Sequence, residues 1–345
     1  MQRLSYSEDE LMESLDYARP QIEAGQRLHG GFDREGNYLS PRMRHRAPAF
    51  VAWANELEAR GGKVMAADSS LLAGIRFPSF AQQKLLLIEG LGQSFWNTLT
   101  ITGRIEARGR ILAEMTFPDF QEVVVEDISE MALGHLGKGL LKAHGLDEGG
   151  EPENGIGGHD MMWFVLRDLA FGETDFPEPE IPENIGRPEQ DQTSMPPISQ
   201  PHASTIYFLL NLLLIEFRAE RGFASTEELL RDPDLFSDRR GEAERAAEIV
   251  DRIRLDEEVH VSSLRLYLGE IRNLSFKTTQ GGTISGKEIV DPFWAEITKW
   301  ATDEQPRLAA AEQRKIFKTR ILAHPDGERI LEEFNALEET RYDGH

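Results

Sequence analysis

A glutamate and a histidine, Glu257 and His260, lie three residues apart in the apolar stripe of an amphipathic segment. The stripe recurs at steps of three and four, and its aliphatic members are Val250, Ile253, Leu264, Leu268 and Ile271. This spacing places a carboxylate and an imidazole side by side on one helix face. Because a buried carboxylate needs a proton, a partner or a metal, the pair is a candidate for metal binding. The alternative is that Glu257 pairs with an arginine and His260 is an ordinary core histidine.

Two other acids interrupt strongly apolar segments in the same way. Glu216 ends the run LLNLLLIE, where it shares a helical face with His202, Leu209 and Leu213. Glu89 lies in KLLLIEGLGQSFW, in a stripe with Leu85, Gly92 and Trp96. Helix packing should drive both side chains inward, so the sequence predicts a cluster of buried acids rather than one isolated acid.

A fourth segment, EDISEMALGHLGKGLLKAHG, contains acids and histidines at helical spacing. Glu126 and Glu130 are four residues apart and share a face that His144 continues. His135 is turned by about 100° from that face unless the helix is distorted. For Glu126 the alternative is an exposed acid at a helix start, where the helix dipole favours negative charge.

In chain order, the candidate metal ligands are Glu89, Glu130, His135, Glu216, Glu257 and His260. This order resembles the ferritin-like di-iron carboxylate proteins, in which two helices each give one Glu and two others each give a Glu–x–x–His pair. The resemblance covers roughly residues 80 to 275. It implies that Glu89 and Glu216 are the single acids and that Glu257 and His260 are the fourth-helix pair.

The second-helix pair departs from the family pattern. Leu133, not histidine, stands three residues after Glu130, and the nearest histidine is His135, five residues away. Three interpretations stay open. A local helix distortion brings His135 in, or His144 or His159 takes its place, or the site is of another type.

The chain also contains a histidine that begins a predicted helix. His159 and Asp160 open the segment HDMMWFVLRDLAFG after a Gly–Gly pair. His159 is a candidate ligand, a supporting group or a loop residue, and Asp160 is a candidate helix cap. The preceding segment 145–158, GLDEGGEPENGIGG, lacks the spacing of a calcium loop, so we predict a mobile loop there.

Composition restricts the chemistry. The formal net charge of −22 disfavours binding to nucleic acids and to anionic membranes. The absence of cysteine excludes disulfides, thiolate metal sites and cysteine nucleophiles. A metal site here must use His, Asp and Glu, which suits iron, manganese, zinc or magnesium.

Nearly every apolar segment repeats at three to four residues, so we predict more than half of the chain in helix. The predicted helices include 47–59, 80–96, 120–144, 159–171, 202–221, 226–231 and 239–273. Little strand is expected outside about 98–117 and 277–287, and the segment 101–117 fits either an amphipathic helix or a pair of strands. The segment 173–201 contains seven prolines and should form an extended connection without a regular element longer than one turn. Apolar side chains should anchor it to the surface: Phe176, Ile181, Ile185, Met195 and Ile198.

The predicted fold class is all-α, a ferritin-like helical bundle with additional helices and a long Pro-rich crossover. We expect an N-terminal helical extension over 1–79, a bundle core over 80–275 and a C-terminal helical extension over 276–345. The N-terminus lacks the basic start and apolar core of a secretory signal, which predicts a cytoplasmic protein. The run 207–217 is too short to span a bilayer, so we expect no membrane partner.

Two functions compete. The first is an oxidoreductase with a di-iron or di-manganese cofactor, O2-activating if the metal is iron, acting on a small-molecule substrate. The second is a non-enzymatic helical interaction protein, whose buried acids pair with arginines such as Arg218 or Arg254. No nucleic-acid partner is expected, and a homodimer is left open.

Overall fold

The computed structural model describes residues 2–72, 77–187 and 196–339. It is mostly helical, with 64% helix and 7% strand, which confirms that more than half of the residues are helical and is compatible with the all-α class. The α-helices are α1 (Glu8–Leu11), α2 (Met43–Ala59), α3 (Phe80–Ile88), α4 (Gln93–Gly109), α5 (Ile111–Glu114), α6 (Leu141–Gly149), α7 (His159–Phe171), α8 (Gln200–Arg231), α9 (Arg240–Arg272), α10 (Gly286–Lys299), α11 (Gln305–Leu322) and α12 (Gly327–Glu339).

Helices α8 and α9 pack side by side, and α9 also packs on α7. Helix α7 lies against α4, which in turn contacts α6. Helix α8 begins with Pro201 in its first turn, where a missing backbone N–H costs nothing. It continues through Gly222, so the predicted helices 202–221 and 226–231 form one element.

Two apolar cores lie along α8 and α9. One contains Leu213 and Phe217 of α8 and Leu264 and Leu268 of α9. The other contains Phe223 of α8 and, among others, Val250 and Ile253 of α9. On α9 the residues between these cores include Asp256, Glu257 and His260, and on α8 Glu216 lies beside Phe217 at the end of the first core. The two cores therefore leave a buried polar layer between them.

The N-terminal region contains a sheet that the sequence analysis did not predict. Its three antiparallel strands are β1 (Arg19–Glu23), β2 (Gln26–Phe32) and β3 (Tyr38–Leu39). Ala24 and Gly25 connect β1 to β2 with positive φ at both residues, as in the two-residue turns that favour hairpins. Backbone hydrogen bonds join β2 to the segment before α7, with His29 N–H donating to Gly157 O at 2.8 Å.

The segment 98–117, one of the two places where strand was expected, is mostly helical, because α4 and α5 cover most of it. The small hairpin expected over 277–287 is present as β4 (Ser275–Lys277) and β5 (Thr283–Ser285). The predicted helix 80–96 divides into α3 and α4. Helix α3 ends because Gly90 has φ +76°, which a helix does not accommodate.

The prediction of one helix over 120–144 is wrong. The segment contains short 3₁₀ turns at Phe120–Glu122 and Leu133–His135, then a wide turn over Leu136–Leu140. Gly139 has φ +108°, which interrupts the helical hydrogen bonds. Regular helix starts only at α6, which runs five residues into the stretch predicted to be a mobile loop.

The Pro-rich connection is described at 173–187 and 196–199, and these parts contain no helix or strand, as predicted. Phe176 packs edge-on against Trp96 at a centroid distance of 5.9 Å, and Ile198 is buried. The predicted anchor Met195 lies outside the described residues. Across the described parts of the chain, no helix has both the length and the apolar character needed to cross a membrane.

Candidate metal centre

Histidines and carboxylates fill the layer between the two apolar cores. All are at most 9% exposed: Glu106, His144, Asp147, Glu148, His159, Glu216, Asp256, Glu257 and His260. Five helices contribute them, namely α4, α6, α7, α8 and α9. Ionised groups are rarely buried without a partner, so this concentration of them marks the chemical centre of the molecule.

Helices α8 and α9 supply three of the predicted ligands, Glu216, Glu257 and His260, and the structure brings these three together. His260 Nδ1 lies 3.0 Å from Glu257 Oε2, one helical turn away. Glu216 Oε1 lies 3.0 Å from Nε2 of His144, which comes from α6. The apolar stripes of α8 and α9 therefore do direct these acids inward, as their spacing indicated.

Helix α6 adds His144 and Glu148, four residues apart and on one face. Glu148 Oε1 lies 3.3 Å from His144 Nε2 and 3.1 Å from His260 Nδ1. Its other oxygen, Oε2, lies 3.6 Å from His159 Nδ1. The two oxygens of this one carboxylate therefore face different histidines.

Two overlapping groups have a geometry that can hold a metal ion. His144, Glu148, Glu216 and His260 form the first, and Glu148, His159, Glu257 and His260 form the second. Within each group, one ligand atom per residue lies within 4.8 Å of all the others. Because the groups share Glu148 and His260, two ions bound to them would be neighbours.

Three potential ligand atoms of these two groups are buried without a hydrogen-bond partner: His144 Nε2, His159 Nδ1 and Glu257 Oε1. Buried polar atoms in native proteins are nearly always paired. His159 Nδ1 nevertheless lies only 3.2 Å from Glu257 Oε1, with no hydrogen bond between them. Ligands about 2.1 Å from a common ion lie roughly 3.0 to 3.4 Å apart in octahedral or tetrahedral geometry. The 3.2 Å separation of His159 Nδ1 and Glu257 Oε1 is therefore the separation expected of two ligands of one ion.

The pKa values of the buried acids in this layer are shifted in opposite directions. Burial raises the pKa of Glu106 well above its ordinary value, and the neighbouring Glu148 carboxylate raises it further. Burial and the charge of Glu257 do the same for Glu216. Burial also acts to raise the pKa of Glu148, but the close contacts of its carboxylate with Glu106 and with the surrounding histidines hold that pKa well below the ordinary value. Bound cations would displace the protons on Glu106 and Glu216.

Two aspartates face the outer nitrogens of the histidines. His260 Nε2 lies 3.4 Å from Asp147 Oδ2, and Asp147 is paired with Arg42 at 2.9 Å and Arg46 at 3.1 Å. His159 Nε2 lies 3.4 Å from Asp256 Oδ2. These contacts favour a proton on Nε2 of both rings, so that Nδ1 of each ring faces the layer, where Nδ1 of His260 contacts Glu257.

The other three predicted ligands lie outside this layer. Glu89 ends α3 and pairs with Arg329, because the chain turns at Gly90 and the stripe of α3 does not continue into α4. Glu130 is exposed in a turn. His135 is buried, but its Nδ1 contacts Met131 O at 2.6 Å and its Nε2 accepts a hydrogen bond from Tyr6 N–H, so both ring nitrogens are engaged.

His144 and His159 both face the layer. Their placement agrees with the alternative that one of them takes the place of His135. Glu106, Asp147 and Glu148 were not among the ligands predicted from the sequence. A signal existed for Glu148, which is spaced four residues from His144, as for two ligands on one helix face. Glu106 follows Leu99 and Gly103 at helical steps, but the arginines around it obscured the stripe.

No protein-family model, curated protein or solved structure matches this chain. Function is therefore argued from the chemistry of the site alone.

Proposed function

We propose that this protein is a metal-dependent oxidoreductase of ferritin-like type, with a dinuclear iron or manganese centre in the buried polar layer. With iron, the reaction would use O2 on a small-molecule substrate. One observation carries the proposal: two overlapping His–carboxylate groups contain buried ligand atoms that have no hydrogen-bond partner. Such atoms are expected where a cation completes the structure.

Each residue has a role that its position supports. Glu148 would bridge the two ions, because its oxygens face different histidines. His144 and Glu216 would bind one ion, while His159 and Glu257 would bind the other. His260 belongs to both groups and lies between them.

The chain order of this revised set supports the ferritin-like type. Single acids come from α4 (Glu106) and α8 (Glu216). Glu257 and His260 form the Glu–x–x–His pair of α9. In place of the second such pair, α6 gives Glu148 with His144, and α7 adds a histidine. The pattern of two single acids and two mixed helices resembles the di-iron carboxylate proteins.

Charge supports two cations rather than one. The layer contains six buried carboxylates, and two buried arginines, Arg42 and Arg46, pair with one of them. The six are Glu106, Asp147, Glu148, Glu216, Asp256 and Glu257. Ionisation of all six acids would leave four net negative charges, equivalent to two divalent cations. Imidazole and carboxylate ligands without thiolate suit iron, manganese or zinc. Two iron or manganese ions would supply the one-electron redox steps and O2 binding that side chains cannot.

The protein's own groups would prepare the site. The two apolar cores exclude bulk water from both sides of the layer. Glu106, whose pKa burial raises, holds a proton against the Glu148 carboxylate. Asp147 and Asp256 hold the rings of His260 and His159 in place.

The interaction-protein alternative requires arginines to neutralise the buried acids. Arg218 instead donates to Ile185 O at 2.8 Å and lies over the Trp300 ring. Arg254 pairs with Glu227, outside the layer. The arginines named for that alternative are therefore engaged elsewhere, which favours the metal-dependent function.

Metal analysis of the full chain tests the proposal. The metal-free protein is reconstituted anaerobically with Fe2+ or Mn2+, desalted and measured by elemental analysis. We expect at least two ions per chain in the wild type, less than one in Glu257→Ala, and wild-type content in the exposed control Glu130→Ala. The ferrous protein should then consume O2 faster than Glu257→Ala does. A wild type that binds neither metal would reject the dinuclear centre, and one that binds iron but consumes no O2 would reject the oxidase chemistry.

A further inference from the structure

A third group of potential ligands lies at the edge of the buried polar layer, on the Nε2 side of His159, whereas the proposed dinuclear centre lies on its Nδ1 side. It consists of His29 from β2, His159 from the start of α7 and Asp256 from α9, and all three are buried. His29 Nε2 lies 3.1 Å from Asp256 Oδ2, and His159 Nε2 lies 3.4 Å from the same oxygen. Each of the three residues comes from a different element, β2, α7 or α9. The group therefore forms only where these three elements pack together.

The fold holds His29 there by its backbone. The N–H of His29 donates to Gly157 O, two residues before His159. The two imidazole rings then meet edge to face, with centroids 5.1 Å apart at 79°. Tyr38 of β3 donates its hydroxyl to Asp256 Oδ2 at 2.8 Å. The N-terminal sheet thus packs against the helical core here and places the His29 imidazole and the Tyr38 phenol beside Asp256.

The atoms of this group lack the partners that buried groups need. His29 is 4% exposed, yet neither ring nitrogen has a hydrogen-bond partner, and Oδ1 of Asp256 has none. The His29–Asp256 contact is close but does not have the alignment of a hydrogen bond. Separations of 3.1 and 3.4 Å are those expected between ligands about 2.1 Å from one ion.

We propose that His29, Asp256 and His159 hold a third cation, separate from the dinuclear pair. His29 Nε2, a carboxylate oxygen of Asp256 and His159 Nε2 would be its ligands, with the Tyr38 hydroxyl adjacent. Two imidazoles and one carboxylate are a ligand set for a borderline transition ion such as Zn2+, Co2+ or Fe2+, not for Ca2+ or Mg2+.

The proposal rests on the proposed dinuclear centre because His159 serves both. Its Nδ1 faces Glu257 and Glu148, and its Nε2 faces the third group. Binding on both sides requires His159 to lose its second ring proton to solvent, leaving a bridging imidazolate. The competing interpretation is that Asp256 only orients His159, with His29 as a neutral neighbour.

Two carboxylates beside the group can balance the added charge. Asp160 follows His159 directly, and its Oδ1 accepts hydrogen bonds from the N–H groups of Gly158 and Met161. Glu151 pairs with Arg42 at the edge of the same layer. With these two acids, the region contains eight carboxylates against two arginines, and the imidazolate of His159 adds one negative charge. These groups together can carry enough negative charge to balance three divalent cations.

A Co2+ titration of the metal-free full chain tests the third site. Co2+ is counted by visible absorption and equilibrium dialysis in the wild type, His29→Leu, Tyr38→Phe and the control His45→Leu, whose histidine pairs with Glu13 at the surface. We expect three equivalents in the wild type, Tyr38→Phe and His45→Leu, but two in His29→Leu. Circular dichroism checks that His29→Leu is folded.

Crystals of the wild type soaked in Zn2+ give a readout independent of any variant. Anomalous scattering should show a peak between His29 and Asp256 in addition to the pair beside Glu148. Two equivalents in both wild type and His29→Leu, with no peak at His29, would overturn the third site and leave the dinuclear centre intact. No bound metal in any protein would reject both.

Discussion

The imidazole rings of His144 and His260 are stacked, with centroids 3.8 Å apart and planes 10° from parallel. They come from different helices, α6 and α9, and both are buried. Two protonated rings could not stack so closely in a buried layer. Burial lowers the pKa of His144, and the neighbouring His260 lowers it further, so His144 is neutral. A neutral imidazole with an unpartnered Nε2 is the form that binds metals.

Glu148→Ala should abolish the binding of both ions, because Glu148 is shared by both ligand groups. His144→Ala should weaken mainly the ion that His144 shares with Glu216, leaving about one tight equivalent. Equilibrium dialysis with Fe2+ or Mn2+ measures both stoichiometries. Equal losses from the two substitutions would show that Glu148 is not the bridging residue.

Glu216→Gln should fold as well as the wild type without metal but gain less stability from metal. The amide resembles the protonated carboxyl that burial and Glu257 favour at this position. A ligand at 100 times its Kd stabilises the wild type by about 2.7 kcal/mol per ion, seen as a rise in Tm. Scanning calorimetry with and without Mn2+ gives both values. An undiminished metal-induced rise in Glu216→Gln would argue against Glu216 as a ligand.

Two ligands predicted from the sequence, Glu89 and His135, lie outside the layer, so replacing them should not change the metal content. Glu89→Gln should lose only its ion pair with Arg329, which lies at the surface, where solvent screens such pairs, so the variant should fold as the wild type does. His135→Ala should destabilise the fold by about 1–3 kcal/mol, because Tyr6 N–H and Met131 O lose their partner. Elemental analysis of both variants should match the wild type. A lower metal content in the folded Glu89→Gln protein would instead support Glu89 as a ligand, as the sequence suggested.

Gly158→Ala should impair both stability and metal binding. A Cβ at this position would lie 2.3 Å from Gly150 N and 2.7 Å from the carbonyl oxygens of Asp147 and Glu148. The backbone that presents Glu148 would have to move, at a cost of about 1–3 kcal/mol. The matched control is Gly222→Ala within α8, where a Cβ meets nothing and should stabilise by about 0.5–1 kcal/mol. Tm and metal affinity are the measurements, and unchanged values for Gly158→Ala would contradict the close packing.

Glu270 should make stability fall as pH rises toward neutrality. Burial raises its pKa to about 7 from the ordinary 4.5, although hydrogen bonds from the N–H groups of Leu133 and Ala132 and the charge of Arg60 oppose the shift. Between these two pKa values the folded protein keeps a proton that the unfolded chain has lost. This contribution is therefore complete below about pH 4.5 and is lost through about pH 7. The difference is about 3 kcal/mol.

Glu270→Gln isolates this effect, because the amide does not ionise. Urea unfolding of metal-saturated protein at pH 5 and pH 8 should show a larger loss in the wild type than in the variant. The amide presents a donor to one of the two backbone N–H groups, so the variant is less stable at pH 5. Identical pH slopes for both proteins would show that Glu270 is ionised in the folded state throughout this range.

Much of the fold followed from local pattern. Apolar spacing located α7, α8 and α9, and proline density located the connection that lacks regular structure in its described parts. The N-terminal sheet was missed because β1 and β2 alternate poorly. Residues 28–32 of β2 are all buried, so the strand shows no two-residue period. The prediction of a helix over 120–144 was wrong because glycines in this segment permit wide turns, which the spacing of apolar residues alone does not reveal.

The sequence by itself determined the α8 and α9 half of the candidate centre. Glu216, Glu257 and His260 interrupt continuous apolar stripes, and a helix fixes the direction of each side chain relative to its stripe. That argument needs only one helix at a time.

Tertiary structure alone decided the other half. His144, Glu148 and His159 lie on either side of a turn, where no stripe extends far enough to define an inward face. His29 reaches the layer only because β2 bonds to Gly157, 128 positions further along the chain. Glu106 rather than Glu89 faces the layer because the helix phase restarts at α4 after Gly90. Such convergence depends on how separate elements pack, which the periodicity of any single segment does not encode.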